Sequence, residues 1–380
     1  MPSIFKMIVL TLFSTLYFYI AHSLVRLTDW IWYEKYFILG MTAAMAGFVL
    51  FMPLYLWSRR NQRLAGWEIR FAHVGNSSLA LLNFLVLLLF LRDIIGFAMT
   101  ELQSFQIIHS EINFTEVLYS RESSLLLLGL SWLIFIMGRL TVKIGPKVKR
   151  VALQKGIFQK PLRILQISDL HIGHSMSRDD IARVINKATS LEVDLIVLTG
   201  DILDGDVEHH KREVLMLKQL TAPYGVYFVT GNHEYYWSVD FALETMARLG
   251  IKTLLNENWQ FDHDGKRVYL AGVPDPAAKM FGLPGPQWEK VTPKNVDYSI
   301  LLCHQPMTAI QGKNFHLALS GHTHGGQFWP WSWIIRLFQP YHKGLFRIGS
   351  MDLYVNQGTG VWGPSVRLGT RCELTVLEIT

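Results

Sequence analysis

The hydrophobic positions of this chain follow two regimes that meet near residue 141. Before that point, apolar residues run without a short period in four segments: Ile4–Val25, Phe37–Trp57, Phe71–Leu91 and Ser124–Leu140. Each approaches the roughly 20 apolar residues that span a bilayer core. Tyr17, Tyr19, Trp30, Trp32, Tyr33, Tyr36, Tyr55, Trp57 and Trp67 cluster near the segment ends, as an interfacial aromatic belt does. The first segment is expected to be a retained helix. Its positive start is weak (Lys6), and no small-x-small cleavage site stands near Ala21-His22-Ser23. The third segment runs into Arg92 and Asp93, expected as a neighbouring pair at its end. His22, His73, Asn83 and this pair fit helix ends and helix-to-helix hydrogen bonds at least as well as a transport path.

From about Pro161 the pattern shortens. Leu162–Ile167, Leu195–Leu198, Val226–Val229, Val268–Ala271, Ile300–Leu302, Leu317–Leu319 and Cys372–Ile379 read as strands. Arg178–Ser190, Val207–Leu220 and Val239–Leu249 read as amphipathic helices. Strands that are apolar throughout, alternating with helices, predict an α/β domain around a largely buried sheet.

Charge orients the first half. The loop after segment two holds Arg59, Arg60, Arg63 and Arg70 against Glu68. The stretch after segment four holds Arg139, Lys143, Lys147, Lys149, Arg150, Lys155 and Lys160 with no acid. The loop between segments three and four carries Glu101, Glu111, Glu116 and Glu122, while Arg26 and Lys35 balance Asp29 and Glu34 after segment one. By the positive-inside rule this alternation puts both termini and the α/β domain in the cytoplasm. The basic stretch is also expected to lie on anionic headgroups. Half of the 380 residues are hydrophobic and 17% are charged, too apolar a balance for an ordinary soluble protein. The net charge of +6 sits largely beside the membrane segments, so nucleic acid is not the expected partner. The two cysteines, Cys303 and Cys372, form no CxxC and no disulfide framework, in keeping with a reducing compartment.

The candidate chemistry lies just after the apolar runs, where open α/β sheets gather ligands. Ser168-Asp169-Leu170-His171 follows the first run, Gly200-Asp201-Ile202-Leu203-Asp204 the second and Gly231-Asn232-His233-Glu234 the third. Cys303-His304-Gln305-Pro306 and Gly321-His322-Thr323-His324 follow later ones. If His322 and His324 continue a strand, both imidazoles share a face. The glycines before Asp201, Asn232 and His322 allow tight turns that bring the next side chain inward. Four imidazoles, two carboxylates and one amide, without a thiolate, suit Mn, Fe, Zn or Co, with Mn favoured. Seven ligands exceed the usual need of one ion. Two ions sharing a carboxylate form a clamp for hydrolysis at phosphorus.

The set D-x-H, G-D-x-x-D, G-N-H-E, H-x-P and G-H-x-H, in this order over Arg163–Thr380, resembles the calcineurin-like metallophosphoesterase superfamily. The tail of G-H-T-H-G-G-Q, with Gly358-Thr359-Gly360 and Arg367-Leu368-Gly369, is similar to a membrane-anchored bacterial branch. The resemblance implies a two-layer β-sandwich flanked by helices. It implies that Asp169, His171 and His324 hold one metal, that Asn232, His304 and His322 hold the other, and that Asp201 bridges them. It makes a bridging hydroxide the nucleophile and gives His233 the leaving oxygen. Asp204 stands where tyrosinate-ligated relatives carry Tyr, which argues against an Fe(III)–tyrosinate site and suits the orientation of a ligand.

The expected organisation is a four-helix transmembrane region over 1–141, a basic linker over 142–160 and the metallophosphoesterase domain over 161–380. The expected activity is metal-dependent hydrolysis of a phosphate ester or diester, of a lipid or lipid-linked substrate, at a bacterial inner membrane. Alternatives are a UDP-diacylglucosamine-type pyrophosphatase, a nucleotide phosphodiesterase, or a non-catalytic receptor or scaffold. Tyr235, Tyr236 and Trp237, then Phe328, Trp329, Trp331 and Trp333, are read either as local core or as a cap that dips into the interface. Lys343, Arg347 and Arg367 are read as surface charges or as contacts to a distal phosphate.

Overall fold

The computed structural model describes residues 3–25, 30–58, 66–108, 112–205 and 210–380. Arg26, Asp29, Arg59, Arg60, Arg63 and Glu111 of the orienting loops lie outside the described residues, as do Val207 and Glu208 of one expected helix. The chain divides into two compact units: Met1–Arg59 with Leu64–Met137, and Arg60–Arg63 with Gly138–Thr380.

The first unit holds α1 (Ser3–Val25), α2 (Trp32–Ser58), α3 (Gly66–Ser104), α4 (Phe114–Leu118) and most of α5 (Arg121–Ile144). Among the described residues, Trp32–Phe51, Gly66–Ser104 and Arg121–Ile144 are long and apolar enough to cross a membrane. The apolar stretch described in α1, Thr11–Val25, is shorter than a full span. Helix α3 has 39 residues. At 1.5 Å per residue that is about 58 Å, nearly twice a hydrocarbon core. It does not end at Arg92 and Asp93, as expected, but continues through a second apolar run, Ile94 to Met99. The pair therefore sits inside the bundle. Arg92 is buried and donates to Ser23 O at 2.8 Å and Ser23 Oγ at 2.6 Å, while Tyr19 donates to Asp93 at 2.8 Å. These bonds tie α1 to α3 and give Arg92 Nη2 and the Asp93 carboxylate partners that apolar surroundings would otherwise deny them.

The second unit is a two-layer sandwich. Its strands are β1 (Lys147–Leu153), β2 (Leu162–Ile167), β3 (Ile172–Gly173), β4 (Leu195–Thr199), β5 (Leu203–Asp204), β6 (Val226–Val229) and β7 (Lys252–Thr253). They continue with β8 (Glu257–His263), β9 (Lys266–Gly272), β10 (Tyr298–Leu302), β11 (Leu317–Ser320), β12 (Gly344–Ile348), β13 (Met351–Val355) and β14 (Glu373–Ile379). One sheet has the order β1-β14-β2-β4-β6-β7 and the other β12-β13-β11-β10-β9-β8. Within the first, β2, β4, β6 and β7 are parallel; within the second, β9, β10, β11 and β13 are parallel.

Period-two alternation explains why these strands are apolar at every position. Leu162 and Ile164, Leu195 and Val197, and Tyr227 and Val229 face the other sheet's Leu270, Ile300 and Leu319 in one core. The residues between them, Leu165, Ile167, Ile196, Leu198 and Phe228, pack outward on Ile181, Val184 and Met246 of α6 (Arg178–Thr189) and α9 (Val239–Arg248). Between these helices lie α7 (Lys211–Val214) and α8 (Asn232–Trp237); α10 (Trp288–Val291), α11 (Pro306–Ala309) and α12 (Trp331–Phe338) follow. The expected helix over Val207–Leu220 is α7 running into a 3-10 turn, Leu215–Gln219. The basic stretch over 142–160 is not only a linker. It contains β1, which pairs in parallel with β14 from Lys147↔Glu373 to Leu153↔Ile379. Its charges masked it, because an edge strand tolerates lysines that a central one does not.

Candidate metal centre

Strands β2, β4 and β6 of one sheet and β10 and β11 of the other end at one edge of the sandwich. The five polar turns expected from the sequence follow those ends. Three groups of donors form there, each with ligand atoms within 4.8 Å of one another: Asp169/His171/His324, His171/Asp201/His233 and Asp201/His304/His322. His171 Nε2 lies 3.0 Å from His324 Nε2, and Asp169 Oδ1 lies 3.5 Å from His324 Nε2. On the other side His304 Nε2 is 3.1 Å from Asp201 Oδ2 and 3.3 Å from His322 Nδ1. Asp201 Oδ2 is also 4.0 Å from His171 Nε2, so this carboxylate stands between the two sides. Asn232 Oδ1 is buried without a hydrogen-bond partner. A buried amide oxygen left bare costs on the order of 1–3 kcal/mol unless something else takes it. Hard and borderline donors, no thiolate and one orphan oxygen fit divalent ions.

His322 and His324 do not continue β11. The strand stops at Ser320, and both residues turn in the left-handed region, at φ 72° and 50°. They consequently serve opposite sides of the site rather than one strand face. Asp169, His171 and Asp201 also have positive φ, at 52°, 50° and 52°. Of the three expected hinge glycines, only Gly200 has positive φ, 85°. Gly231 and Gly321 are required by close approach instead. A Cβ at Gly231 would fall 2.1 Å from Asp201 Oδ1, and one at Gly321 would fall 1.9 Å from Ser168 Oγ.

A layer of hydrogen bonds fixes the donors. Asp204 accepts from His171 Nδ1 at 3.1 Å, from His233 Nδ1 at 2.8 Å and from Trp237 Nε1 at 2.8 Å. His304 Nδ1 donates to Thr199 O at 2.8 Å, which leaves the Nε2 lone pair available to an ion. Glu234, singled out from the sequence only as part of a motif, accepts from the backbone N–H of Asp201, Ile202, Leu203 and Gly231 at 2.7–3.1 Å. It ties two of the five turns together. Burial raises the Glu234 carboxyl, the Asp201 charge adds to this, and it reaches about 7. Burial opposes protonation of His233, but the Asp204 and Asp201 carboxylates overcome it and raise the ring to about 9. Burial, then the charge of His304, lowers His322 to about 4.

The expected surface charges separate. Arg367 is fully buried and donates to the carbonyls of His324, Gln357, Gly358 and Gly360 at 2.7–3.1 Å. It is a brace behind the His324 turn, not a surface charge. Arg347 pairs with Asp352 at 2.6 Å. The aromatics separate as well. Tyr235 and Phe328 are core, and Trp237 holds Asp204, whereas Trp331 and Trp333 of α12 are 49% and 69% exposed. Trp362, which carries no motif, stands edge-on to His233 at 5.7 Å between ring centroids.

The family model for calcineurin-like phosphoesterases matches residues 162–326, which hold all the donors above. An uncharacterized metallophosphoesterase of Campylobacter jejuni is 33% identical over 240 residues, 62% of this chain and 63% of that protein. One of Helicobacter pylori strain J99 is 33% identical over 261 residues, 67% of this chain and 68% of that protein. A transmembrane protein with metallophosphoesterase domain of Danio rerio is 33% identical over 227 residues, 56% of this chain and 52% of that protein. The chain thus spans 52–68% of the length of these relatives. Apolar helices and a transmembrane-named relative indicate membrane association. With the motif order, the sandwich and the matched span all in agreement, the chain belongs to the calcineurin-like metallophosphoesterases.

Proposed function

We propose that this chain is a membrane-bound dinuclear-metal phosphoesterase that hydrolyses a phosphate ester or diester of a lipid or lipid-linked substrate at the bilayer. The observation that carries the reading is the convergence of six His and Asp donors with the orphan Asn232 oxygen at one sandwich edge. Asp169, His171 and His324 would hold one ion, Asn232, His304 and His322 the other, and Asp201 would lie between them, with manganese favoured. What a divalent pair supplies when bound is acidification of water and neutralisation of the phosphate oxygens.

The remaining chemistry belongs to the chain. Asp204 keeps His171 and His233 in one ring orientation each. Glu234 fixes the Asp201 turn against Gly231. His233, anchored through Nδ1, gives a proton to the leaving oxygen as its bond to phosphorus breaks in line with the attack of water. Tyr236 and Trp362, with rings 5.4 and 5.7 Å from His233, form an apolar wall there. A lipid substrate is supported by α12, which begins four residues beyond Gln327 of the metal-site loop and exposes Trp331, Trp333, Leu337 and Phe338. Such a face suits the acyl boundary of a bilayer. The basic residues from Lys143 to Lys160 support a cytoplasmic catalytic domain at a bacterial inner membrane. A reporter fused after Thr380 that is active only outside the cytoplasm would overturn that placement.

The direct test uses detergent-purified full-length protein. Mn²⁺-dependent hydrolysis of bis(p-nitrophenyl) phosphate is measured beside p-nitrophenyl phosphate, with Asp201→Asn as control. Metal-dependent turnover lost in the variant supports the site, and the ratio of the two rates separates diester from monoester preference. Metal binding with no turnover on these esters or on lipid extracts would sink the enzyme reading in favour of a binding role.

A further inference from the structure

A second charged site lies on this unit, lined by none of the metal-centre donors. A cavity of about 930 Å³ is lined by six basic side chains and a single carboxylate, Glu373. That carboxylate is already engaged: Tyr354 Oη, Gln357 Nε2 and Thr375 Oγ1 donate to it at 2.6, 2.8 and 2.8 Å. Two of the cations are engaged as well. Arg150 pairs with Glu378 at 2.8 Å, and Arg367 holds carbonyls. Lys147, Lys149, Lys343 and Arg371 remain; none of them pairs with a carboxylate of a described residue, and Lys149 Nζ lies 5.2 Å from the centroid of the Tyr354 ring. Lys147 and Lys149 share one face of β1. Lysines on an edge strand have a plain structural use, which is to repel strand pairing. Lys343 and Arg371 come from other segments, just before β12 and β14, yet they converge on the same cavity. Burial, then the charge of Arg336, holds the Lys343 amine below its usual range despite Glu373, and Lys149 adds to this. Crowded like charges of this kind are relieved by an anion.

The surroundings indicate which anion. Thr141 in the last turns of α5, the membrane-length helix, lines the cavity. Arg367 N donates to Gly138 O at 3.0 Å and pins the cavity's 367–371 rim to that helix. On the same rim Leu368 O accepts from Trp329 N at 3.0 Å, and Gly369 abuts Ser332 of α12. The cavity therefore lies between the end of an apolar helix and an amphipathic helix whose Leu337 and Phe338 are 80% and 74% exposed. Free phosphate would need the cations alone. An anionic lipid uses the cations for its headgroup and the exposed apolar helix for its chains.

We propose that this juxtamembrane cavity binds the phosphate headgroup of an anionic phospholipid, through residues other than the metal-centre donors. The proposal concerns recognition only and does not depend on what the metal centre hydrolyses.

The test counts lipids bound to full-length protein in detergent by native mass spectrometry, with phosphatidylglycerol against phosphatidylcholine. The variants are K147Q/K343Q/R371Q, the charge-keeping K147R/K343R, and K187Q/K218Q as a distant control. Each cation near a headgroup is worth about 5-fold, so the triple variant is expected to lose on the order of 100-fold in phosphatidylglycerol affinity. The other two variants should bind like the parent. Exposed Arg371→Gln alone, which leaves the buried network intact, should lose about 5-fold and serves if the triple variant fails to fold. Unchanged binding in the folded variants would place the lipid at the metal centre or on bare apolar surface, and would overturn the proposal. Equal binding of phosphatidylcholine would do the same, as would displacement by inorganic phosphate at equal concentration.

Discussion

Replacing Asp204 by Asn tests whether the metal centre is set up by its supporting carboxylate. The change removes a charge and almost no volume. In the parent, Oδ1 accepts from His233 Nδ1 and Trp237 Nε1, both at 2.8 Å, while Oδ2 accepts from His171 Nδ1 at 3.1 Å. An amide can accept on one side only. Its favourable pose keeps oxygen against His233 and Trp237, which satisfies two donors. Its NH2 then faces His171 Nδ1, which must become the acceptor, and the ring proton moves to Nε2. That nitrogen is the one 3.0 Å from His324 Nε2, in the group with Asp169. A ligand nitrogen that carries a proton cannot bind an ion until the ring is forced back. Losing such an outer hydrogen bond costs 10–100-fold in metal affinity or activity, or about 1.4–2.7 kcal/mol. With two divalent ions bound as proposed, the expected result is that one of them is lost on dialysis, kcat/KM falls 10–100-fold, and melting shifts by only a few degrees. Metal content is read by elemental analysis and turnover with bis(p-nitrophenyl) phosphate. A variant that keeps two ions and stays within 2-fold of parental kcat/KM would refute the reasoning.

Four further outcomes follow from the same geometry. Gly321→Ala places a Cβ 1.9 Å from Ser168 Oγ and 2.2 Å from Asp169 Oδ2, so it should lower metal content and activity at least 10-fold while circular dichroism is kept; full activity would contradict the tight approach. Arg367→Lys exchanges a fork that reaches four carbonyls for a single ammonium, and the melting curve should show a loss of about 2–4 kcal/mol. An unchanged melting curve would return Arg367 to the role of a surface charge. Chelation by EDTA should abolish turnover, and added Mn²⁺ should restore it in the parent but not in Asp201→Asn; turnover that survives chelation would remove metal from the mechanism. Trp331→Ser with Trp333→Ser should weaken hydrolysis of a lipid phosphodiester and spare a small chromogenic ester, because both rings are exposed rather than core. Equal losses on the two substrates would sink the interfacial role of α12.

How far the sequence could lead depended on whether a feature is written in one residue or shared among several. The central strands were legible because both faces of each are buried, so Leu195 to Leu198 and Val226 to Val229 leave no polar position to confuse the period. Strand β1 was not legible, because Lys147, Lys149 and Arg150 advertise a linker while the backbone pairs with β14. The donors were legible as residue types at strand ends. Their supports were less so: Glu234 acts through four backbone N–H groups and Arg367 through four carbonyls, and a backbone partner leaves no mark in a sequence. Least legible was the strain. Glycine is the residue that takes positive φ without steric cost, yet Asp169, His171, Asp201, His322 and His324 hold that region with full side chains. Each such residue costs on the order of 1–3 kcal/mol, and a fold keeps them only where its surroundings over-determine the turn. Here the glycines sit beside the strained residues rather than in their place. Gly200, Gly231 and Gly321 give up their side chains so that neighbouring donors can enter one small volume. Alanine at Asp169 or His324 would remove a proposed ligand yet leave the same strained backbone, whereas glycine there would relieve it. If the turns store strain for the sake of metal geometry, His324→Gly should melt higher than His324→Ala by about 1 kcal/mol while both lose activity alike. Equal melting of the two variants would mean that the left-handed turns cost the fold nothing.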